Sequence, residues 1–220
     1  MALETVEIET APNPKASIII LHGLGADGND FVPIAQELDL ASVGPVRFVF
    51  PSAPTRPVTI NGGYVMRAWY DILGTEVARR EDEAGLRESL ALIEALIAKE
   101  RARGIAANRI VLAGFSQGCA MTFMVGLRHG ERLAGLLGMS GYLPLADLTA
   151  TERSAANAGV PIFQAHGSAD PMITMARATA SRDALVALGY PVEWHAYPMP
   201  HSVCPQEIVD MNRWLLRVLA

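Results

Sequence analysis

Residues 110–118 read Ile-Val-Leu-Ala-Gly-Phe-Ser-Gln-Gly, an apolar stretch ending in Gly114-Phe115-Ser116-Gln117-Gly118. A Gly-x-Ser-x-Gly junction between a strand and a helix is a nucleophile elbow, a sharp turn that leaves the serine hydroxyl exposed at its tip. The flanking glycines keep bulky side chains out of the neighbouring strand and helix. A serine so placed can carry out acyl transfer once a base and an orienting acid reach it. The five-residue pattern also arises by chance, so the rest of the chain must supply those partners.

In folds that use this elbow the acid and then the base follow the serine along the chain. Four histidines lie downstream: His129, His166, His195 and His201. His129 falls near the end of the helix after the elbow, where a cation complements the helix dipole, and reads as a cap. His195 lies inside the expected strand Val192–Tyr197. His166 ends the expected strand Pro161–Ala165 and competes with His201, which sits in the loop between the last strand and the last helix. Chain order favours His201 as the base, because it leaves room for an acid before it. That acid is Asp170, in His166-Gly167-Ser168-Ala169-Asp170-Pro171, where the proline keeps the aspartate out of helical geometry. Its other reading is an N-cap for the helix expected over Thr174–Leu188. Asp147 lies in a poorly patterned connection and Asp183 within that helix, so both fit the role less well.

The segment Leu21-His22-Gly23-Leu24-Gly25-Ala26-Asp27-Gly28 follows the first apolar strand and admits two functions. Gly23-x-Gly25-x-x-Gly28 matches the fingerprint of a dinucleotide-binding oxidoreductase. That reading needs an acid ending the next strand, about twenty residues on. Here that strand, Val46–Phe50, runs into Pro51-Ser52 without one, so the fingerprint is incomplete. On the other reading His22–Gly25 is an oxyanion loop, with the Leu24 amide as one donor and the Gln117 amide, just after the serine, as the second. His22 is then structural. Asp27-Gly28-Asn29-Asp30 looks like part of a calcium loop but lacks the closing glutamate, and reads as the start of a helix running to Leu38. Neither a metal nor an organic cofactor is required.

Six apolar strands are expected to position these residues: Ala16–Leu21, Val46–Phe50, Arg109–Ala113, Leu133–Met139, Pro161–Ala165 and Val192–Tyr197. They alternate with amphipathic helical patterns, which gives an α/β fold with a mostly parallel central sheet flanked by helices. Leu86, Leu90, Ile93 and Ile97 define a helix over Asp82–Arg103, with Gly104 as its stop. Ile208, Met211, Leu215 and Leu219 define another over Pro205–Leu219. Between Pro51 and Glu81 a proline- and glycine-rich stretch lacks periodicity, and loops that long are usually functional. Met66, Trp69 and Tyr70 are its candidates for a substrate-binding wall; alternatively, Trp69 simply packs into the core.

The chain has 220 residues, a formal charge of −5, 19% charged and 50% hydrophobic residues, the profile of a globular domain with a substantial core. Such an acidic balance argues against nucleic acid as a partner. One domain over residues 1–220 is expected. The N-terminus has no basic-then-apolar leader and no window is long enough for stable membrane insertion, which points to a cytoplasmic protein. Cys119 and Cys204 show no metal spacing and read as free thiols. Scattered leucines and methionines leave a homodimer open.

Taken together, Leu21–Asp27, Phe50-Pro51-Ser52-Ala53-Pro54, Trp69-Tyr70-Asp71, Gly114–Gly118, His166–Pro171 and His201 resemble the small carboxylesterase and acyl-protein thioesterase (phospholipase/carboxylesterase) family of α/β-hydrolases. The likeness spans nearly the whole chain. It implies an α/β-hydrolase fold without a separate cap domain, a triad of Ser116, Asp170 and His201, and oxyanion donors at Leu24 and Gln117. It further implies a serine carboxylesterase acting on small ester or thioester substrates. Short to medium acyl esters come first, with acyl-protein thioesterase or lysophospholipase activity as the alternative.

Overall fold

Every residue of Ala16–Leu21 is buried, a condition that a strand meets only when helices cover both faces of its sheet. The computed structural model, which describes residues 3–74 and 81–220, is built around such a sheet. Its strands are β1 (Thr5–Glu9), β2 (Ala16–Leu21), β3 (Val46–Pro51), β6 (Ile110–Phe115), β7 (Gly135–Met139), β8 (Ile162–Gly167) and β9 (Val192–Tyr197), while β4 (Thr55–Val58) and β5 (Tyr64–Arg67) form a separate hairpin. The helices are α1 (Val32–Gln36), α2 (Glu83–Ala102), α3 (Gln117–Gly126), α4 (Ala146–Glu152), α5 (Met175–Ala187) and α6 (Pro205–Val218). The seven-stranded sheet runs β1-β3-β2-β6-β7-β8-β9. Only β1 is antiparallel to its neighbour.

The period-two alternation of strand side chains divides the core in two. Ile19, Leu21 and Leu112 face α2 and α3, with Trp69, Leu86, Ile93 and Phe123. Ile18, Ile20, Val111 and Ala113 face α1 and α6, with Phe48, Phe163, Met211 and Trp214. Helix α3 is buried along its whole length because it lies between the sheet and α2. Its start requires glycine: a Cβ on Gly118 would collide with the Leu21 carbonyl, and one on Gly114 with the Gly118 carbonyl. Glu100, buried in α2, is held by Arg47 at 2.9 Å and Arg103 at 2.9 Å.

All six expected strands are present, with β7 beginning two residues late at Gly135 and β8 continuing to Gly167. Strand β1 was not expected. It is an edge strand whose Val6 and Ile8 pair opposite Phe50 and Phe48, and its interleaved Glu7 and Glu9 mask the apolar signal. The expected Pro51–Glu81 loop instead carries the β4–β5 hairpin; its positions 75–80 lie outside the described residues. The helix expected from Asp27 to Leu38 shortens to α1, since Asp27 Oδ1 accepts the Asn29 N–H at 2.8 Å and closes a local turn. Among the described residues no helix is long and apolar enough to cross a membrane, and both cysteines are unpaired.

Candidate active site

Strand β6 ends at Phe115 and α3 begins at Gln117, leaving Ser116 alone to turn the chain. It does so with φ 56° and ψ −115°, a left-handed conformation that costs a non-glycine residue about 1–3 kcal/mol. Its surroundings enforce this geometry. The Ser116 N–H donates to the Met139 carbonyl at 2.9 Å, and its carbonyl accepts the Ala120 N–H at 3.2 Å.

Past the ends of β8 and β9, two loops bring Asp170 and His201 together, with Nδ1 of the imidazole 2.6 Å from Oδ2 of the carboxylate. The Asp170 side chain is fully buried, and its Oδ1 accepts the N–H groups of Met172 at 2.8 Å and Ile173 at 2.9 Å. Thr174, not Asp170, occupies the N-cap of α5. The His201 ring packs on Phe115 with centroids 4.7 Å apart, beside the elbow. The other downstream histidines lie elsewhere. His129 contacts Glu94 at 2.8 Å, and His195 stacks on Phe163 and contacts Glu193 at 3.0 Å. His166 is buried behind Asp170.

Leu24 and Gln117 both border the cavity that Ser116 and His201 open onto. As the first residue of α3, Gln117 has no acceptor for its N–H within the helix. Its side chain is clamped, Oε1 accepting the Trp69 N–H at 3.0 Å and Nε2 donating to the Tyr70 carbonyl at 2.8 Å. Below the Leu24 loop, His22 Nε2 accepts the Ala53 N–H at 2.9 Å, so the ring proton is on Nδ1, 2.6 Å from the Gly23 carbonyl. Burial holds the His22 pKa below the usual histidine range, which keeps the ring neutral and suits it to bracing this loop. The glycines of the dinucleotide pattern serve the packing: the Gly25 N–H is taken by the Arg67 carbonyl at 2.9 Å, and a Cβ on Gly28 would strike the Phe50 carbonyl.

The cavity has a volume of about 330 Å³ and walls formed largely by Ile60, Tyr70, Ile72, Tyr142, Met172 and Ile173. Tyr70 and Tyr142 meet through their hydroxyls at 2.8 Å. Of the three residues expected to line it, only Tyr70 does. Trp69 is fully buried beneath the site, its Nε1 donating to the His22 carbonyl at 2.9 Å, so it supports the His22–Gly25 loop from below. Met66 stands outside the lining, next to Asn61. Sequence reasoning missed Tyr142, although it sits just beyond the carboxyl end of β7, the edge where open α/β sheets place ligands.

Glu207 lies in the first turn of α6, six residues after His201, and is fully buried. Burial pushes its carboxyl up from 4.5 to about 8. Between those values the folded chain holds a proton that the unfolded chain has lost, so stability falls as pH rises through the window. Glu207→Gln is expected to flatten this dependence and to be the more stable form at pH 9, by on the order of a few kcal/mol. Urea melts of both proteins from pH 5 to 9 check it; parallel curves would mean that Glu207 does not titrate there.

Residues 3–219 match the phospholipase/carboxylesterase family. Acyl-protein thioesterase 1 of Yarrowia lipolytica is 40% identical over 215 residues, covering 96% of this chain and 95% of its own. Acyl-protein thioesterase 1 of Mycosarcoma maydis is 40% identical over 221 residues, covering 94% and 92%. Among solved structures, Arabidopsis thaliana SOBER1 superposes with a TM-score of 0.88 at 30% identity, covering 93% of this chain and 99% of its own. Zea mays acyl-protein thioesterase 2 superposes with a TM-score of 0.87 at 28% identity, covering 99% of each. With its α/β-hydrolase fold and a match across nearly its whole length, this chain belongs to the phospholipase/carboxylesterase family of serine hydrolases.

Proposed function

We propose that this chain is an acyl thioesterase that also cleaves oxyesters, working through an acyl-enzyme on Ser116. The observation that carries the reading is a strained serine and an Asp170–His201 pair, in contact at 2.6 Å, converging on one largely apolar cavity. His201 takes the Ser116 proton as the hydroxyl attacks the acyl carbonyl, and the oxyanion rests on the Leu24 and Gln117 amides. The proton then passes to the leaving thiol or alcohol. Water repeats the sequence on the acyl-enzyme and releases the acid. Asp170 orients the imidazole and stabilises its charged form.

The sequence put short to medium oxyesters first, but the names of the relatives favour thioesters. Stopped-flow hydrolysis of matched p-nitrophenyl esters and S-acyl cysteine peptides, in order of acyl length, separates the two. The expected result is kcat/KM for the thioester at least about tenfold above the matched ester, or about 1.4 kcal/mol of transition-state preference. Equal or reversed values would return the chain to general carboxylesterase activity.

A further inference from the structure

His166 is the penultimate residue of β8 and is fully buried, and the mechanism above gives it no part. Its Nε2 lies 2.8 Å from the Ile173 carbonyl oxygen and 3.5 Å from Asp170 Oδ2. A carbonyl oxygen can only accept, so the ring proton sits on Nε2, and Nδ1, which is buried with no protein partner, is bare. Burial is the main cause holding the His166 pKa below the usual range, so the ring stays a neutral donor. Asp170 Oδ2 therefore pairs with His201 Nδ1 at 2.6 Å, while His166 Nε2, whose one proton goes to the Ile173 carbonyl, stands 3.5 Å away. Ile173 ties the arrangement together. Its N–H donates to Asp170 Oδ1, its carbonyl accepts from His166, and its side chain lines the cavity.

We infer that His166 is a positioning residue, pinning the 170–173 turn so that Asp170 Oδ2 stays on His201 Nδ1 and Ile173 stays in the cavity wall. The inference rests on the roles proposed above for Asp170 and His201. Neither Met172 nor Pro171 can replace this donor, because each offers only a backbone or an apolar side chain. A phenylalanine would fill the space and leave the Ile173 carbonyl without its partner. A glutamine places an amide N–H near the position of Nε2.

The test compares wild type, His166→Phe and His166→Gln on p-nitrophenyl butyrate, alongside fluorophosphonate labelling of Ser116 and the downfield proton resonance of His201 Nδ1–H. His166→Phe is expected to lose about tenfold to hundredfold in kcat with KM little changed, the scale of a small misplacement of reacting groups. The downfield resonance should move or broaden with it, and His166→Gln should recover most of both. A folded His166→Phe protein with wild-type kcat and an unmoved resonance overturns the inference. Should that variant not fold, 15N spectra of histidine-labelled wild type and Asp170→Asn decide: the His166 Nε2 signal must shift between them, and an identical signal overturns the inference too. Failure of the underlying reading shows separately, as wild-type Ser116 that takes no phosphonate label.

Discussion

Ser116→Ala is expected to abolish turnover, by about 10⁵- to 10⁶-fold in kcat, the scale on which a serine nucleophile is lost. Stability should hardly change, because the alanine inherits the same backbone and the same Met139 and Ala120 hydrogen bonds. Ser116→Gly should lose activity equally but melt higher. At φ 56° the serine stores about 1–3 kcal/mol of strain that glycine does not feel, offset by the roughly 1 kcal/mol that glycine's freedom costs in the unfolded chain. A net gain of about 1 kcal/mol raises Tm by about 2–4 °C in a chain of this size. Calorimetry on the two variants therefore tests whether the chain maintains a strained turn for the sake of the hydroxyl. An alanine variant that still turns over would remove Ser116 as nucleophile, and a glycine variant no more stable than alanine would remove the strain argument.

What the sequence made legible was whatever local rules dictate. Gly114 and Gly118 announce the elbow because no other residue fits against the strand and helix backbones there. Leu86, Ile93 and Ile97 announce α2 because its buried stripe keeps one helical period. Strand β1 and the β4–β5 hairpin escaped because much of their surface faces solvent, with Glu7 and Glu9 in one and Thr55, Pro57, Tyr64 and Val65 in the other, so no run of apolar residues marks them. The Asn61-Gly62-Gly63 turn did signal that hairpin, and both glycines adopt positive φ. Adjacent aromatics posed a different problem. Trp69 and Tyr70 are both buried, and only tertiary packing decides that Tyr70 meets the cavity while Trp69 lies under His22. Ile60, Tyr142 and Met172 come from three separate turns that share no period, so the cavity wall could not be read from the chain. His166 and His201 both end strands or follow them, and burial separates them: one is sealed behind Asp170, the other keeps 18% of its side chain exposed beside Ser116.

Asp170→Asn is expected to lower kcat by about 10⁴-fold while preserving the turn, and the hydrogen bonds explain why so small a change has so large an effect. The two backbone amides of Met172 and Ile173 can only donate, so the single oxygen of the asparagine must face them, in the place of Oδ1. Its NH₂ then faces His201. To accept from that group, Nδ1 of His201 must give up its proton, which moves to Nε2 and leaves no lone pair to receive the Ser116 proton. Asp170→Ala differs, because it also strips the Met172 amide and the buried Ile173 amide of their acceptor, and the buried one left unpaired should cost about 1–3 kcal/mol. Kinetics on the asparagine variant, with 15N spectra to read the His201 tautomer, give the decisive comparison. A loss under about tenfold with the proton still on Nδ1 would reduce Asp170 to a residue that builds the turn, since an orienting acid acts through that tautomer.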